Sequence, residues 1–490
     1  MDEISLGLII AYSKPVLFVV GLTLASIAVL AVFIGNPKWP ALALFLVIIN
    51  FINPSYGFLD KAPTNAYGWG VGGKLPFPLI QFYLYGLFLA VLFRNLYNRV
   101  QPLKQAGGIW LILFAVMFVG HFIAGFVEAG HWLQLLNAFG LIHVLHMGML
   151  MYVVASVLEK EEDFKAFIKL FLVIAVARAI FGLVRYFLFG GDPQNAYANF
   201  GNTDIKITYW DVNEGLIASI AGFYFLWRLV SDWSTLKPAM RWLFLVCLAL
   251  EILIIMLSFR RSNLFGLIMV GAYFLILLPW RKRLLYSAIG VIVLVPSVLS
   301  LSAYRAQETL GTRQLTLMEI ISPDATEIES ITDRGSRFYE LQVAFRSLEE
   351  KPVFGIGTWN AFKIGPGDAY SLAYHRGNFH FVHSGFGHVL LKSGVVGLML
   401  FLGLLYGAWR YGTRARRFID SKYRALFESY RAGFWFLMPT FLFGTPVIEM
   451  RTMLWTAMTL AIPVAIARYS LLKSASPDGR ERSLGLPQAA

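Results

Sequence analysis

The main candidate for catalytic chemistry is a histidine at the end of the longest polar interval. His383 closes the polar interval 301–383, and an apolar run begins at Ser384. A neutral imidazole can take a proton from a hydroxyl group near physiological pH. A histidine that only hydrogen-bonds a carbonyl at the membrane interface fits the same position, and on position alone it is the more common case. His380, three residues earlier, is a further candidate for the same site.

The histidines near this point could also suggest a metal site. His380, His383 and His388 are spaced by three and then five residues, which does not keep all three on one helical face. No carboxylate lies among them, although zinc sites often include one. The sequence therefore does not favour a metal.

Arginines within or beside apolar runs are the second set of candidates. Arg260 and Arg261 interrupt an otherwise continuous apolar stretch from 243 to 280. Charges near membrane depth are costly and usually face a polar cavity or a partner. A guanidinium with its planar donor fork suits a phosphate or pyrophosphate, and a snorkelling pair at a helix end is the alternative. Arg185, near the end of an earlier run, is a further candidate for a phosphate contact.

Three polar residues begin another predicted span on the same side. Asp211, Asn213 and Glu214 could hold the hydroxyl groups of an acceptor, or they could cap the helix. Asp and Asn are preferred helix caps, so capping is the favoured interpretation.

The elements that must position these residues are membrane helices. The chain of 490 residues is 57% hydrophobic and only 14% charged, and thirteen apolar runs approach the length of a spanning helix. Continuous runs argue against the alternating strands of a membrane barrel. The single cysteine, Cys247, excludes an internal disulfide. We predict an all-α polytopic membrane protein with 12 or 13 spans.

The basic residues set the expected orientation and the domain boundaries. The net charge of +13 lies mostly in short loops between apolar runs, as the positive-inside rule requires, so we expect no nucleic-acid partner. The resulting alternation places residues 301–383 outside the cytoplasm. We predict a bundle over 1–300, an extracytoplasmic loop over 301–383, membrane helices over 384–470 and a disordered cytoplasmic tail over 471–490.

The long loop has its own local signals. A helix can begin near Asp333 or Ser336 and must end before Pro352. Its apolar stripe is predicted to consist of Phe338, Leu341, Phe345 and Leu348. Arg334 and Arg337 lie three residues apart and can share one face. The following Gly355-x-Gly357 could cradle a phosphate, but a plain turn is the favoured interpretation.

Three short motifs follow one another between about 210 and 400. They are Arg261-Ser262-Asn263-Leu264-Phe265-Gly266, then Arg337 through Pro352 to Gly355 and Gly357, then His383-Ser384 with Gly394-Val395-Val396-Gly397 after it. In order and spacing they resemble the bacterial O-antigen ligase and polysaccharide polymerase family, whose members act on undecaprenyl-diphosphate-linked glycans. Two positions differ from the family pattern. Ser384 stands where Asn is usual, and Lys392 and Ser393 stand where an acidic residue is usual.

The resemblance implies a bundle of the membrane glycosyltransferase C type and an inverting glycan transfer that needs no metal and no cofactor. It implies that Arg261 and Arg337, with Arg185 or Arg334, bind the pyrophosphate of the lipid-linked donor. It implies that His383 is the general base on the acceptor hydroxyl, or at least orients that hydroxyl. The implied partners are the donor, a glycan acceptor and the lipid bilayer, with a chain-length regulator and a flippase as candidates. The implied location is the bacterial inner (cytoplasmic) membrane, with the site facing the periplasm and the C-terminus in the cytoplasm.

Three activities remain open. A polymerase would add repeat units to build an O-antigen, capsule or exopolysaccharide, whereas a ligase would move finished glycan to a lipid core or a protein. A lipid-linked oligosaccharide transporter is the third, but the sequence lacks the repeated halves and paired broken helices that such carriers tend to show. We expect a polymerase.

Overall fold

The chain folds into a bundle of helices. The computed structural model describes residues 32–50, 79–99, 108–129, 140–193, 195, 206–307, 337–358, 360–363 and 380–475. Within these ranges it contains no strand. The α-helices are α1 (Lys38–Asn50), α2 (Leu79–Tyr97), α3 (Gly108–Ala129), α4 (Ile142–Val157), α5 (Glu161–Leu188), α6 (Val212–Ser231), α7 (Pro238–Met256), α8 (Arg261–Leu277), α9 (Trp280–Gln307), α10 (Arg337–Glu349), α11 (Gly385–Ala415), α12 (Ser421–Phe443) and α13 (Met450–Ala475).

Several of these helices can cross a membrane. Among the described residues, six are long and apolar enough, namely Ile80–Tyr97, Gly108–Val127, Glu161–Leu188, Pro238–Met256, Gly385–Phe418 and Met450–Ser474. Shorter apolar helices cover Lys38–Asn50, Ile142–Val157 and Arg261–Leu277. The prediction of an all-α polytopic membrane protein is confirmed. The number of 12 or 13 spans stays a prediction, because residues 1–31 and 51–78 lie outside the described ranges.

Helix α13 is the centre of the bundle. Its most apolar window is entirely buried, and it packs against α4, α11 and α12. Trp455 on this helix lies edge-on to Phe45 of α1 and Phe171 of α5, with ring centroids 6.3 and 6.4 Å away. A helix that is apolar on all sides must be surrounded by other helices. α13 therefore fixes the positions of the helices that carry the candidate residues.

Two helices extend beyond the predicted apolar runs. α9 continues through the predicted boundary at residue 300 to Gln307, because its last turns contain neither Gly nor Pro. α12 begins at Ser421, well before the apolar part of its sequence, which starts at Ala432. Its first turns are charged, and Glu428 among them is buried, where it accepts hydrogen bonds from Arg416 and from the Tyr273 hydroxyl. Apolar content alone could not detect this paired segment.

The candidate residues and the basic loops lie at opposite ends of the bundle. α11 begins beside His383 and ends beside Arg416, and it has 31 residues. At 1.5 Å per residue a straight helix of this length spans about 45 Å, and the kink at Gly394 shortens this distance. We call the two ends of the bundle the His383 end and the Arg416 end.

Candidate active site at the His383 end

His383 is held by a carboxylate from α10. Its Nδ1 lies 2.9 Å from Oε2 of Glu340, and its backbone N–H donates to Oε1 of the same side chain at 3.2 Å. The Glu340 side chain is only 5% exposed, whereas that of His383 is 22% exposed. The buried carboxylate therefore fixes the ring, and part of the ring remains open to solvent.

This pairing determines which nitrogen can act as a base. An ionised carboxylate only accepts hydrogen bonds, so Nδ1 of His383 must be the donor. In the neutral ring, Nε2 is then the nitrogen that carries the basic lone pair. A histidine oriented in this way can take a proton at Nε2, and Glu340 stabilises the imidazolium that forms.

The start of α11 places His383 next to α10. Ser384 is the N-cap of α11, and its hydroxyl accepts a hydrogen bond from the Gly387 N–H at 3.1 Å. Serine and asparagine cap helices about equally well, so Ser384 performs the task that an asparagine would perform here. A Cβ on Gly387 would lie 2.8 Å from Cδ2 of Leu341, so the glycine lets α10 approach closely.

The buried face of α10 differs from the predicted apolar stripe. Glu340, Val343, Ala344 and Ser347 are buried, whereas Leu341, Phe345 and Leu348 are only half-buried. Leu341 of the predicted stripe packs against the buried cluster that contains Val343. Two polar residues of the helix are buried as well, which the stripe did not include. Glu340 turns inward to His383, and the Ser347 hydroxyl accepts the Lys363 N–H at 2.7 Å. The side chain of Phe338 is not described.

The two glycine motifs form one joint between the loop and α11. Gly394 kinks α11 with φ of 65° and ψ of −167°. Cβ atoms at Gly355 and Gly394 would lie 2.5 and 2.6 Å from each other's backbone nitrogens. The N–H groups of Ile356 and Gly357 donate to the carbonyls of Leu391 and Lys392 at 2.9 and 3.1 Å. These N–H groups are hydrogen-bonded within the protein and do not point at a ligand. The favoured prediction of a plain turn is therefore confirmed.

Lys392 strengthens the same joint from inside α11. Its side chain is fully buried, and Nζ donates to the Asn360 carbonyl oxygen. The Asn360 amide in turn donates to the Ile356 carbonyl at 2.6 Å. In this chain, the position where the family pattern has an acidic residue therefore binds the loop to the membrane helix.

Arg260 and Arg261 mark the break between α7 and α8. α7 ends at Met256 and α8 begins at Arg261, so the predicted interruption is confirmed. Arg260 donates to the Trp210 carbonyl oxygen and lies over the Trp210 ring, with 4.8 Å between its Cζ and the ring centroid. Arg261 is exposed. Between the two, Arg261 is the better placed to meet a ligand.

Arg185 stabilises the loop before α6. Its guanidinium lies 3.0 Å from Asp192, donates to the Thr208 carbonyl oxygen and stacks over Tyr209 at 4.5 Å. Burial raises the pKa of Tyr209, so its hydroxyl stays protonated and donates to the Arg178 carbonyl oxygen at 2.8 Å. These protein partners compete with the predicted phosphate contact of Arg185, which stays a prediction.

Asp211 and Glu214 belong to a buried ionic network. Asp211 is the N-cap of α6, 2.8 Å from the Asn213 N–H, which confirms capping. Arg451 of α13 is fully buried and donates to Asp211 at 2.6 Å and to Glu214 at 2.9 Å. Arg178 binds both carboxylate oxygens of Glu214. Burial raises the pKa of Asp211, but the Arg451 charge and the Asn213 N–H lower it by more, so the pKa lies below its usual range.

Close contacts between the starts of several helices bring the candidate residues together at this end. A Cβ on Gly385, next to the His383 loop, would lie 2.9 Å from Pro446, in the short 3-10 turn that precedes α13. A Cβ on Gly215 would lie 2.8 Å from Asn263 in the first turn of α8, which begins at Arg261. The starts of α6, α8, α11 and α13 therefore lie together.

Of the remaining candidates, Arg337 is the first residue of α10. It lies one helical turn before Glu340, and its backbone is therefore close to the pair of Glu340 and His383. His380 is half-buried in the turn before His383. Arg334 lies outside the described residues.

Sequence reasoning missed two residues. Glu340 was visible as an acidic residue three positions after Arg337, but nothing local indicated that it faces His383. Arg451 was not among the candidates, although it is a charged residue in the first turn of α13. Its position beside Glu449, directly before an apolar run, was the available signal.

Residues 243–402 match the family model described as O-Antigen ligase. This range includes Arg261, Arg337, Glu340, His383 and the glycine joint. The comparison with curated proteins gives no match.

Proposed function

We propose, from the premise that this chain belongs to the O-antigen ligase family through residues 243–402, that it is a membrane glycosyltransferase acting on a lipid-linked glycan. The pair of Glu340 and His383 is the observation that carries this proposal. A carboxylate that fixes a histidine tautomer, at the end of a membrane bundle, is the arrangement a general base needs.

The proposed reaction is a single displacement. Nε2 of His383 takes the proton of an acceptor hydroxyl, and the oxygen attacks the anomeric carbon of the donor sugar. A new carbon–oxygen bond forms as the bond to the diphosphate breaks, and the lipid diphosphate leaves with the electron pair. One displacement inverts the anomeric centre. Glu340 balances the charge of the imidazolium.

Arginines would stabilise the leaving diphosphate. Arg261 and Arg337 are the proposed ligands, because each begins a helix at the His383 end, where helix N-termini also favour anions. Arg334 is a further proposed ligand. Arg185 and Arg260 are proposed as outer contacts, since both also bind backbone carbonyls of the loop before α6. Neither the proton transfer nor the charge stabilisation in this scheme requires a metal ion.

The donor is proposed to be an undecaprenyl-diphosphate-linked oligosaccharide, and the site is proposed to face the periplasm of a bacterial inner membrane. We propose polymerisation of repeat units as the activity. Ligation to a lipid core or a protein is the second candidate, and the description of the matching family model favours it. Both activities use the same donor and the same base.

Transfer from a synthetic lipid-linked donor by the purified protein tests the proposal. Arg337→Ala should raise the donor concentration needed for half-maximal rate, because it removes a ligand of the diphosphate. Arg346→Ala is the matched control, since Arg346 is an exposed arginine in the last turn of the same helix. Wild-type transfer by folded Arg337→Ala would contradict the assignment of Arg337.

The glycan that accumulates in a deletion strain distinguishes the two activities. Single repeat units attached to their acceptor indicate that polymerisation is lost. Long glycan that remains unattached indicates that ligation is lost and would overturn the polymerase proposal.

A further inference from the structure

A cavity of about 420 Å³ lies at the Arg416 end, far from the proposed active site. It is formed where the last turns of α6 and α8 meet the first turns of α9 and α12. Its volume falls within the range of sites for small molecules, about 300–1,000 Å³. The lining residues are Trp227, Val230, Ser231, Asp232, Leu277, Leu278, Pro279, Lys282, Arg416, Ile419, Ser421 and Arg424.

The charged side chains of the lining are mostly basic. Lys282, Arg416 and Arg424 face a single carboxylate, Asp232. That carboxylate is already paired with Arg228 at 2.9 Å. Two helix N-termini and two C-termini meet here, so their dipoles largely cancel. The positive potential of the cavity therefore comes from its side chains.

The carboxylate behind the cavity does not neutralise the basic side chains that line the cavity. Glu428 is fully buried and lies 2.7 Å from Nε of Arg416, 3.1 Å from Nε of Arg424 and 3.9 Å from Nε of Arg431. One negative charge is thus shared by three guanidinium groups. Within the described part of the chain, no carboxylate pairs with Lys282. Such an excess of positive charge around a cavity favours the binding of an anion.

The other half of the lining is apolar, which indicates what bears the anion. Trp227, Val230, Leu277, Leu278 and Ile419 form a wall beside the basic residues. A free phosphate ion gains nothing from such a wall, whereas the glycerol and first methylenes of a phospholipid do. Basic pockets between membrane helices on the cytoplasmic side bind the headgroups of anionic lipids.

We propose that this cavity binds the phosphate of an anionic phospholipid, such as phosphatidylglycerol, through Lys282, Arg416 and Arg424. The hydroxyl groups of Ser231 and Ser421 line the same cavity and can bind the glycerol oxygens. Because the cavity connects α6, α8, α9 and α12 at their ends, a bound lipid also holds these helices together. This site is independent of the proposed glycan transfer.

Native mass spectrometry of the full-length protein tests the site, with phosphatidylglycerol as the probe and phosphatidylcholine as the zwitterionic comparison. Lys282→Glu changes the charge by two units. At roughly fivefold in affinity per unit of charge, it should weaken phosphatidylglycerol binding about 25-fold. Arg281→Glu is the matched control, because Arg281 carries the same charge change one residue away and does not line the cavity. Its binding should stay within about twofold of the wild type.

Three results would overturn the proposal. Equal weakening by both variants would assign the effect to general surface charge. Equal binding of phosphatidylcholine and phosphatidylglycerol would exclude recognition of the anion. Binding of inorganic phosphate that depends on Lys282, without retention of lipid, would assign the site to a soluble phosphate compound. Each readout is lipid or phosphate binding and does not depend on glycan transfer.

Discussion

Replacing Glu340 with glutamine should disturb the orientation of His383 without unfolding the protein. The substitution keeps the size of the side chain and an oxygen that can still accept the His383 backbone N–H, which now lies 3.2 Å from Oε1. It removes the charge next to Nδ1 of His383, 2.9 Å from Oε2. The amide can also donate to Nδ1, which favours the tautomer with its lone pair on the wrong nitrogen.

The size of the effect follows from the hydrogen bond that is lost. A hydrogen bond to a charged group contributes about 1.5–3 kcal/mol, which corresponds to roughly 10- to 150-fold in rate when the charge forms in the transition state. Glu340 is buried, so solvent does not screen this interaction. We therefore expect kcat to fall by about 100-fold. The KM for the donor should change little, because Glu340 is not proposed to touch the diphosphate.

Steady-state transfer with purified Glu340→Gln measures this split between kcat and KM. Glu350→Gln is the matched control, because Glu350 forms only an exposed ion pair with Lys363 at 2.6 Å. The conservative Glu340→Asp should retain part of the rate. A folded Glu340→Gln enzyme with wild-type kcat, or one with a raised KM alone, would refute the positioning role.

Three further predictions concern stability, measured as thermal unfolding of the purified protein in detergent. Gly394→Ala should lower the unfolding temperature and transfer together, because φ of 65° with ψ of −167° costs a residue with a Cβ about 1–3 kcal/mol. Gly271→Ala, where an added Cβ has no neighbour within 4 Å, should be neutral or slightly stabilising. Arg451→Met should destabilise by about 3–5 kcal/mol, because it leaves the buried carboxylate of Asp211 without its ion-pair partner, whereas Arg410→Met at an exposed position should stay within about 0.5 kcal/mol. The folded-state pKa of Asp211 is depressed, so its contribution to stability is present above about pH 4 and is lost as the pH falls further, and Asp211→Asn should flatten this loss.

Local sequence signals predicted the helices and much of the site. A continuous apolar run is expected to form a helix in a bilayer, because a helix satisfies its own backbone hydrogen bonds. The helix that begins at Arg337 and ends before Pro352 was predicted from its cap and its proline. The break at Arg260 and the position of His383 at the start of a membrane helix were also predicted.

The pairings between distant segments could not be predicted. Glu340 and His383 are 43 residues apart, and their contact depends on how α10 docks against α11. That docking depends on close backbone approach at Gly355 and Gly394, which no periodicity reveals.

Charge pairs in the bundle posed the same difficulty. Arg451 binds Asp211, which is 240 residues away in the sequence. Glu428 binds arginines of a basic cluster whose composition is typical of a surface loop. Whether a charged side chain is buried depends on partners that are distant in the sequence. Its neighbours in the sequence therefore do not predict its burial.

The single-turnover rate of His383→Ala at saturating lipid-linked donor tests the central claim most directly. General base catalysis contributes about 10²–10⁴-fold, so the account predicts a loss of at least about 100-fold with donor binding unchanged. A folded His383→Ala protein that transfers glycan at the wild-type rate would contradict the claim that His383, oriented by Glu340, is the base.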